Sequence, residues 1–206
     1  QAQFLAEVDD LLVAYYDGVT DAARMDATAA AGLARAFGVP PQAVAEGLRS
    51  FTPAHHRRAV ISHAADVTWI ADSKATNAHA AVASLSGITP GTAVWIAGGD
   101  TKGQEFGDLV ARVAPLLRGV VVIGKDRSAI VNALRQRAPQ VPFVEVDGHE
   151  DWMFSVVNEA VALSRPGDTV VLAPACASWD QFRSYAQRGD VFRDAVKRLE
   201  ANWAAQ

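Results

Sequence analysis

Val67-Thr68-Trp69-Ile70-Ala71-Asp72-Ser73-Lys74-Ala75-Thr76-Asn77 sets a β-favouring run directly against a polar knot. Val67 to Ala71 reads as a buried strand. Asp72 to Asn77 reads as a turn, and the small and apolar residues at helical spacing from Ala78 to Leu85 read as a helix. Strand, polar turn and helix form the unit that places ligand groups at the carboxyl edge of an open α/β sheet. Asp72, Ser73, Lys74 and Thr76 put an acid, a lysine and two hydroxyls within five residues, more than a connecting loop requires. In the plainer alternative Thr76 or Asn77 caps the helix while Asp72 and Lys74 are solvated.

Outward from this stretch the same rhythm continues. Strands are expected near residues 58–63, 67–71, 92–97, 120–124, 143–146 and 169–173, and helices near 78–85, 106–117, 127–138, 151–164 and 190–203. This alternation over residues 54–206 predicts a Rossmann-like, doubly wound, mostly parallel α/β sheet. Residues 1–53 differ in character. A short apolar and acidic run reaches Tyr16, Asp17-Gly18 turns, and two helices follow at 22–37 and 41–50. Met25, Ala29, Leu33 and Phe37 recur near one face of the first, Gly38 stops it, and Pro41 sits where the opening turn of the second tolerates proline. Two helices and an isolated run make a poor domain, so 1–53 reads as the tail of a truncated one.

Composition narrows the classes. Half of the 206 residues are hydrophobic and a fifth charged, enough to bury a real core. A net charge of -4 without any run of Lys or Arg argues against a nucleic-acid surface. Cys176 is the single cysteine, so no intrachain disulfide can form, which fits a reducing compartment. No apolar stretch is long enough for membrane insertion and no secretory leader opens the sequence, so a cytoplasmic location is expected.

Two more stretches follow expected strands. Gly98-Gly99-Asp100-Thr101-Lys102-Gly103 combines paired glycines, which let backbone approach a ligand, with a cation. It is neither a Walker A loop nor a G-x-G-x-x-G fingerprint, and alone it also reads as an ordinary turn. Pro174-Ala175-Cys176-Ala177-Ser178-Trp179-Asp180-Gln181-Phe182 crowds small residues at a strand end. No G-x-S-x-G elbow surrounds Ser178, and nothing in the sequence lowers the pKa of Cys176, so neither reads as a nucleophile. His55, His56, His63, His79 and His149 lack metal-motif spacing. The three stretches share one end of three parallel strands. Two lysines, a threonine and a serine there suit a small carboxylate.

Together with His56-Arg57 and Gln187-Arg188-Gly189, these stretches resemble the D-glutamate-adding Mur ligases in order and approximate spacing, over residues 26–199. The D-N-P-R motif of the diaminopimelate-adding relative is absent. The resemblance implies a cytoplasmic, monomeric, three-domain enzyme of peptidoglycan synthesis that uses ATP and magnesium. It converts the carboxylate of UDP-N-acetylmuramoyl-L-alanine to an acyl phosphate, which the amine of D-glutamate attacks. By the same resemblance 54–206 is the Rossmann-like third domain and 1–53 the end of the central ATP-binding domain. The phosphate loop and magnesium ligands then lie elsewhere, no catalytic residue is expected here, and the chain alone is expected to be inactive and to hold no cofactor.

Carried over position by position, the resemblance assigns D-glutamate to Lys74, Thr76, Lys102 and Ser178. Trp179 and Tyr185 fall where the family often has leucine and phenylalanine beside the amino acid. Arg57 and Asp72 match positions that touch ATP. Ala22-Ala23 departs from the His-Asn that many members carry near adenine. Two other readings stay open: a non-catalytic Rossmann-like module for a small anion, and another amino-acid ligase of the superfamily, such as one that extends folate.

Overall fold

The structure is a computed structural model that describes residues 21–51, 55–148 and 151–204. The run to Tyr16, the turn after it and His149 lie outside them, as do the side chains of Ala22 and Ala23. The chain divides into two compact units, 1–53 and 54–206.

The first unit holds helix α1, Asp21–Ala36, and helix α2, Pro41–Ser50. Gly38, at φ +85°, supplies the left-handed residue that ends α1. Ala31 and Val44 are buried between the helices, with Ala27, Ala34, Val39 and Leu48 packed around them. The seam is therefore the alanine face of α1. Met25, Leu33 and Phe37, expected to mark its apolar face, are exposed, Phe37 by 92%.

The second unit is a six-stranded sheet in the order β1-β2-β6-β3-β4-β5. Its strands are β1 Ala59–Ser62, β2 Thr68–Ala71, β3 Ala93–Gly98, β4 Leu117–Ile123, β5 Phe143–Glu145 and β6 Thr169–Leu172. Every neighbouring pair is parallel except β1 with β2. The mostly parallel Rossmann-like class is thus the one found.

Side chains alternate across the sheet, and both faces are covered. Ile70, Trp95, Val120, Val122 and Val171 pack under α3 (Ala78–Leu85), α4 (Gly107–Val113) and α5 (Ser128–Arg137). Their neighbours Trp69, Val94, Ile96, Val121, Val170 and Leu172 pack under α6 (Trp152–Leu163) and α7 (Tyr185–Ala204). A strand buried on both faces reads as a continuous apolar run. The two buried indoles are satisfied as well: Trp95 Nε1 donates to Ala173 O at 2.7 Å and Trp69 Nε1 to Ala64 O at 3.0 Å.

Two boundaries differ from expectation. The helix expected to reach residue 117 ends at Val113, followed by a single tight turn, Ala114–Leu116. Pro115 has no N–H to extend the helical ladder, and the apolar run after it belongs to β4. Helix α7 starts at Tyr185, earlier than expected, and runs through Gly189. That glycine is a packing requirement. A Cβ there would stand 2.2 Å from Nδ1 of His56.

Candidate functional site

Because β6 lies between β2 and β3, the segments leaving these strands are neighbours, and the backbone joins them. Ala175 N–H donates to Ala75 O at 2.9 Å, and Gly98 N–H to Pro174 O at 2.8 Å. Asp100 and Ala177 exchange two bonds, each 2.9 Å, as an isolated antiparallel bridge. The 174–178 segment is thus the middle of three, hydrogen-bonded to the Asp72-to-Asn77 turn on one side and to the Gly98-to-Gly103 turn on the other.

The paired glycines serve this junction. Gly98 and Gly99 have φ of +126° and +130°. A Cβ on Gly98 would fall 1.9 Å from Ile123 O, and one on Gly99 2.4 Å from Ala177 O. Close approach of protein backbone accounts for both glycines, where the sequence suggested close approach of a ligand.

Each anticipated residue has a definite place. Asn77, not Thr76, caps α3: its Oδ1 accepts from Ala80 N–H at 2.9 Å. Thr76 is left half-buried beside it. Lys74 is exposed and holds Nζ 4.1 Å from the centre of the half-buried Tyr185 ring. Lys102 is exposed on a left-handed turn at φ +51°, where its N–H donates to Asp100 Oδ1 at 3.1 Å. Ser178 is buried, whereas its neighbour Trp179 is 67% exposed. Arg57 is exposed.

Lys74 and Tyr185 are in contact, while Lys102 and Ser178 join them only through the linked loops. Two clefts lie elsewhere. One of about 280 Å³ is lined by His56, Val60, Gly189 and Arg193, and one of about 410 Å³ by Trp152, Phe154, Val191 and Arg198. Lys74, Thr76, Lys102 and Ser178 line neither.

Burial governs the charges nearby. It pushes the Asp72 carboxyl above its ordinary value, against hydrogen bonds from Ser84 and the Arg58 N–H and the charges of Arg58 and Arg57. The Arg58 guanidinium, lowered by burial and held up by Asp72, donates through Nε to Ser84 O at 2.9 Å. Burial also lowers His56, opposed by Asp190 at 3.6 Å and reinforced by Arg193 and His55. The Cys176 thiol is fully buried, and burial pushes it up to about 12, which leaves it inert at neutral pH. No cluster of three or more acidic, histidine or cysteine side chains among the described residues is placed to hold a metal ion. Nor is any helix among them long and apolar enough to cross a membrane. What the edge offers is cations, hydroxyls and backbone dipoles for an anion.

Arg188 is the participant to which sequence reasoning gave no role. It is 1% exposed, and its guanidinium donates to Ser73, Cys176 and Ala177. A lone arginine on a helix reads as solvated, and its acceptors are mostly carbonyls, which every residue has. The available signal was helical spacing, because Arg188 shares its buried face with Phe192, Ala195, Val196 and Leu199.

The family model for the glutamate ligase domain of Mur ligases matches residues 56–176. The chain is 51% identical, over 97% of its length, to the UDP-N-acetylmuramoylalanine–D-glutamate ligase of Streptomyces coelicolor, and covers 41% of that protein. It is 42% identical to the enzyme of the same name from Mycolicibacterium smegmatis, over 94% of this chain and 44% of the relative. The chain therefore spans about two-fifths of the length of these relatives. Among solved structures, UDP-N-acetylmuramate–alanine ligase from Thermotoga maritima superposes with a TM-score of 0.60 at 18% identity, over 91% of this chain and 39% of that one. Folylpolyglutamate synthase from Mycobacterium tuberculosis gives 0.51 at 18% identity, over 81% and 37%. At such identities these two show a shared fold.

Proposed function

The chain belongs to the Mur ligase family and carries its glutamate ligase domain, and from that premise we propose that it forms the amino-acid-holding part of a ligase that joins D-glutamate to UDP-N-acetylmuramoyl-L-alanine. The observation that carries this reading is the backbone junction of the three loops. It links the loops that carry Lys74, Thr76, Lys102 and Ser178, which supports a shared role for them. A dicarboxylate needs cations and donors, and two lysines with two hydroxyls supply them. The names of relatives at 42 to 51% identity support the choice of amino acid.

In this reading the chain's residues bind and orient. Lys74 and Lys102 take carboxylates of D-glutamate, Thr76 and Ser178 add hydroxyl donors, and Tyr185 and Trp179 wall the ligand. Arg57, exposed beside the half-buried Asp72 and Arg58, faces the ATP phosphates, and Asp72 faces the nucleotide or its neighbouring cation. ATP supplies the phosphoryl group that activates the carboxylate of UDP-N-acetylmuramoyl-L-alanine. The amine of D-glutamate, held at this edge, displaces phosphate to give the amide. No cluster of three or more acidic, histidine or cysteine side chains among the described residues is placed to hold magnesium, so in this reading other residues would hold it and no step here runs through it. Residues 1–53 belong, in this reading, to the end of the central ATP-binding domain, and the enzyme works as a monomer in the cytoplasm.

The full-length protein that carries this chain should release phosphate from ATP only when D-glutamate and UDP-N-acetylmuramoyl-L-alanine are both present. Release driven equally well by L-glutamate with a folate acceptor would overturn the assignment.

A further inference from the structure

Arg188 stands out among the groups that the proposed reaction leaves unused. It is a cation buried to 1% exposure beneath all three ligand-edge loops. Its Nε donates to Ser73 Oγ at 3.0 Å, and that hydroxyl in turn donates to Tyr185 O at 2.7 Å. One terminal nitrogen donates to Ser73 O at 3.0 Å and Cys176 O at 3.2 Å, and the other to Ala177 O at 3.3 Å. That last nitrogen also lies 3.1 Å from where a Cβ on Gly99 would be, so the guanidinium abuts the third loop as well.

Asp180 is near enough to act on Arg188 through space, but no carboxylate among the described residues pairs with it at ion-pair distance. Burial lowers its pKa to about 10, which leaves it charged at neutral pH. A buried ion is costly without a charged partner, and carbonyl dipoles only partly offset that cost. A planar fork is the side chain that can reach several carbonyls at once, whereas an ammonium on a flexible stem is not pre-organised to do so.

We propose that Arg188 is the positioning residue of the ligand edge: its guanidinium sets the separation between the loop of Lys74 and Thr76 and the loop of Ser178, and its unpaired charge favours an anion above them. It touches no substrate and acts through Ser73, Cys176 and Ala177. The consequence for binding rests on the D-glutamate reading above, whereas the consequence for loop spacing does not.

Two variants test it in the full-length protein. Arg188→Lys keeps the charge and loses the fork. Ser73→Ala removes the Nε bond, and with it the hydroxyl's own bond to Tyr185 O, without burying a new charge, and so decides the matter even where the lysine variant fails to fold. The KM for D-glutamate should rise about 10-fold or more in the first and about 3-fold in the second, with the KM for ATP moving less than about 2-fold. A D-glutamate constant within about 2-fold of the parent in every variant that folds, or an equal rise for ATP, overturns the proposal.

Hydrogen exchange on the 206-residue chain gives a readout that needs no substrate. In either variant, faster exchange should be confined to the amides of Ala75, Asp100, Ala175 and Ala177, with β2, β3 and β6 still protected. Uniform loss, or none, overturns the positioning role. Because exchange is read without D-glutamate, a wrong amino-acid assignment and a wrong role for Arg188 give different results.

Discussion

The Lys74 ammonium lies 4.1 Å from the centre of the Tyr185 ring, which joins the loop after β2 to the first turn of α7. The aromatic face holds a flexible cation in place beside the joined loops. An exposed cation–π contact is worth about 0.5–1 kcal/mol. Tyr185→Leu should therefore raise the KM for D-glutamate about 2- to 5-fold, while Tyr185→Phe, which keeps the ring, leaves it near the parent value. Equal constants for the two variants would show that the ring does not set the lysine.

Lys102 makes a sharper test of the same site. Its side chain is exposed, so the folded chain loses little when it is shortened. A charge-assisted hydrogen bond to a carboxylate is worth roughly 1.5–3 kcal/mol, so Lys102→Ala should weaken apparent D-glutamate affinity about 10- to 150-fold with the ATP constant nearly unchanged. A shift within about twofold would return Lys102 to the status of an ordinary turn residue.

Stability and binding separate at the opposite edge of the sheet. There the Arg118 guanidinium grips both carboxylate oxygens of Asp168, a residue 2% exposed, with the second contact at 3.0 Å. Arg118→Met leaves that carboxylate buried without its cation. It keeps the Arg165 N–H at 2.7 Å, so the expected cost is toward the lower end for a broken buried pair, about 2–4 kcal/mol. Urea unfolding should show that loss while the D-glutamate constant of the surviving folded enzyme stays put.

Acid sensitivity should trace in part to His56. Burial holds its pKa below the usual value, so between the folded and unfolded pKa values the unfolded chain binds the extra proton. Stability then rises with pH through that window and is lost as pH falls below about 6.5, the unfolded value. Asp190, Arg193 and His55 face the ring, and their net effect does not reverse the direction. Comparing urea midpoints at about pH 7.5 and about pH 5.5, His56→Gln should flatten the slope; an unchanged slope would assign the acid loss to other groups.

The strands were legible because a run such as Val120 to Ile123 has no other use than a sheet buried on both faces. The start of β4 was not, since Leu116 and Leu117 continue an apolar run that fits a helix equally well until Pro115 is weighed. The turns after β2 and β3 and the segment after β6 were legible as unusual stretches at strand ends. What no local pattern records is that β6 enters between β2 and β3, because parallel neighbours are chosen by the packing of whole crossovers. The roles of Gly99 and Arg188 depend on that order. Both answer to carbonyls of the loop leaving the middle strand, so both were out of reach of sequence spacing.

The strand order also bears on how the domain is made during synthesis. β1 with β2, and β3 with β4 and β5, are two blocks whose partners are close in sequence, while β6 is the seam that joins them. Chains emerge amino end first and non-local pairings form late. The two blocks can therefore pair internally on the ribosome, with their facing edges open, until residues 169–172 emerge. The junction of the three loops follows with residues 174–178, and Arg188 arrives only after both. Nascent chains stalled with residue 168 just exposed should be protease-sensitive, and those extended past residue 204 resistant. Resistance already at the shorter length would mean that the halves meet without their seam.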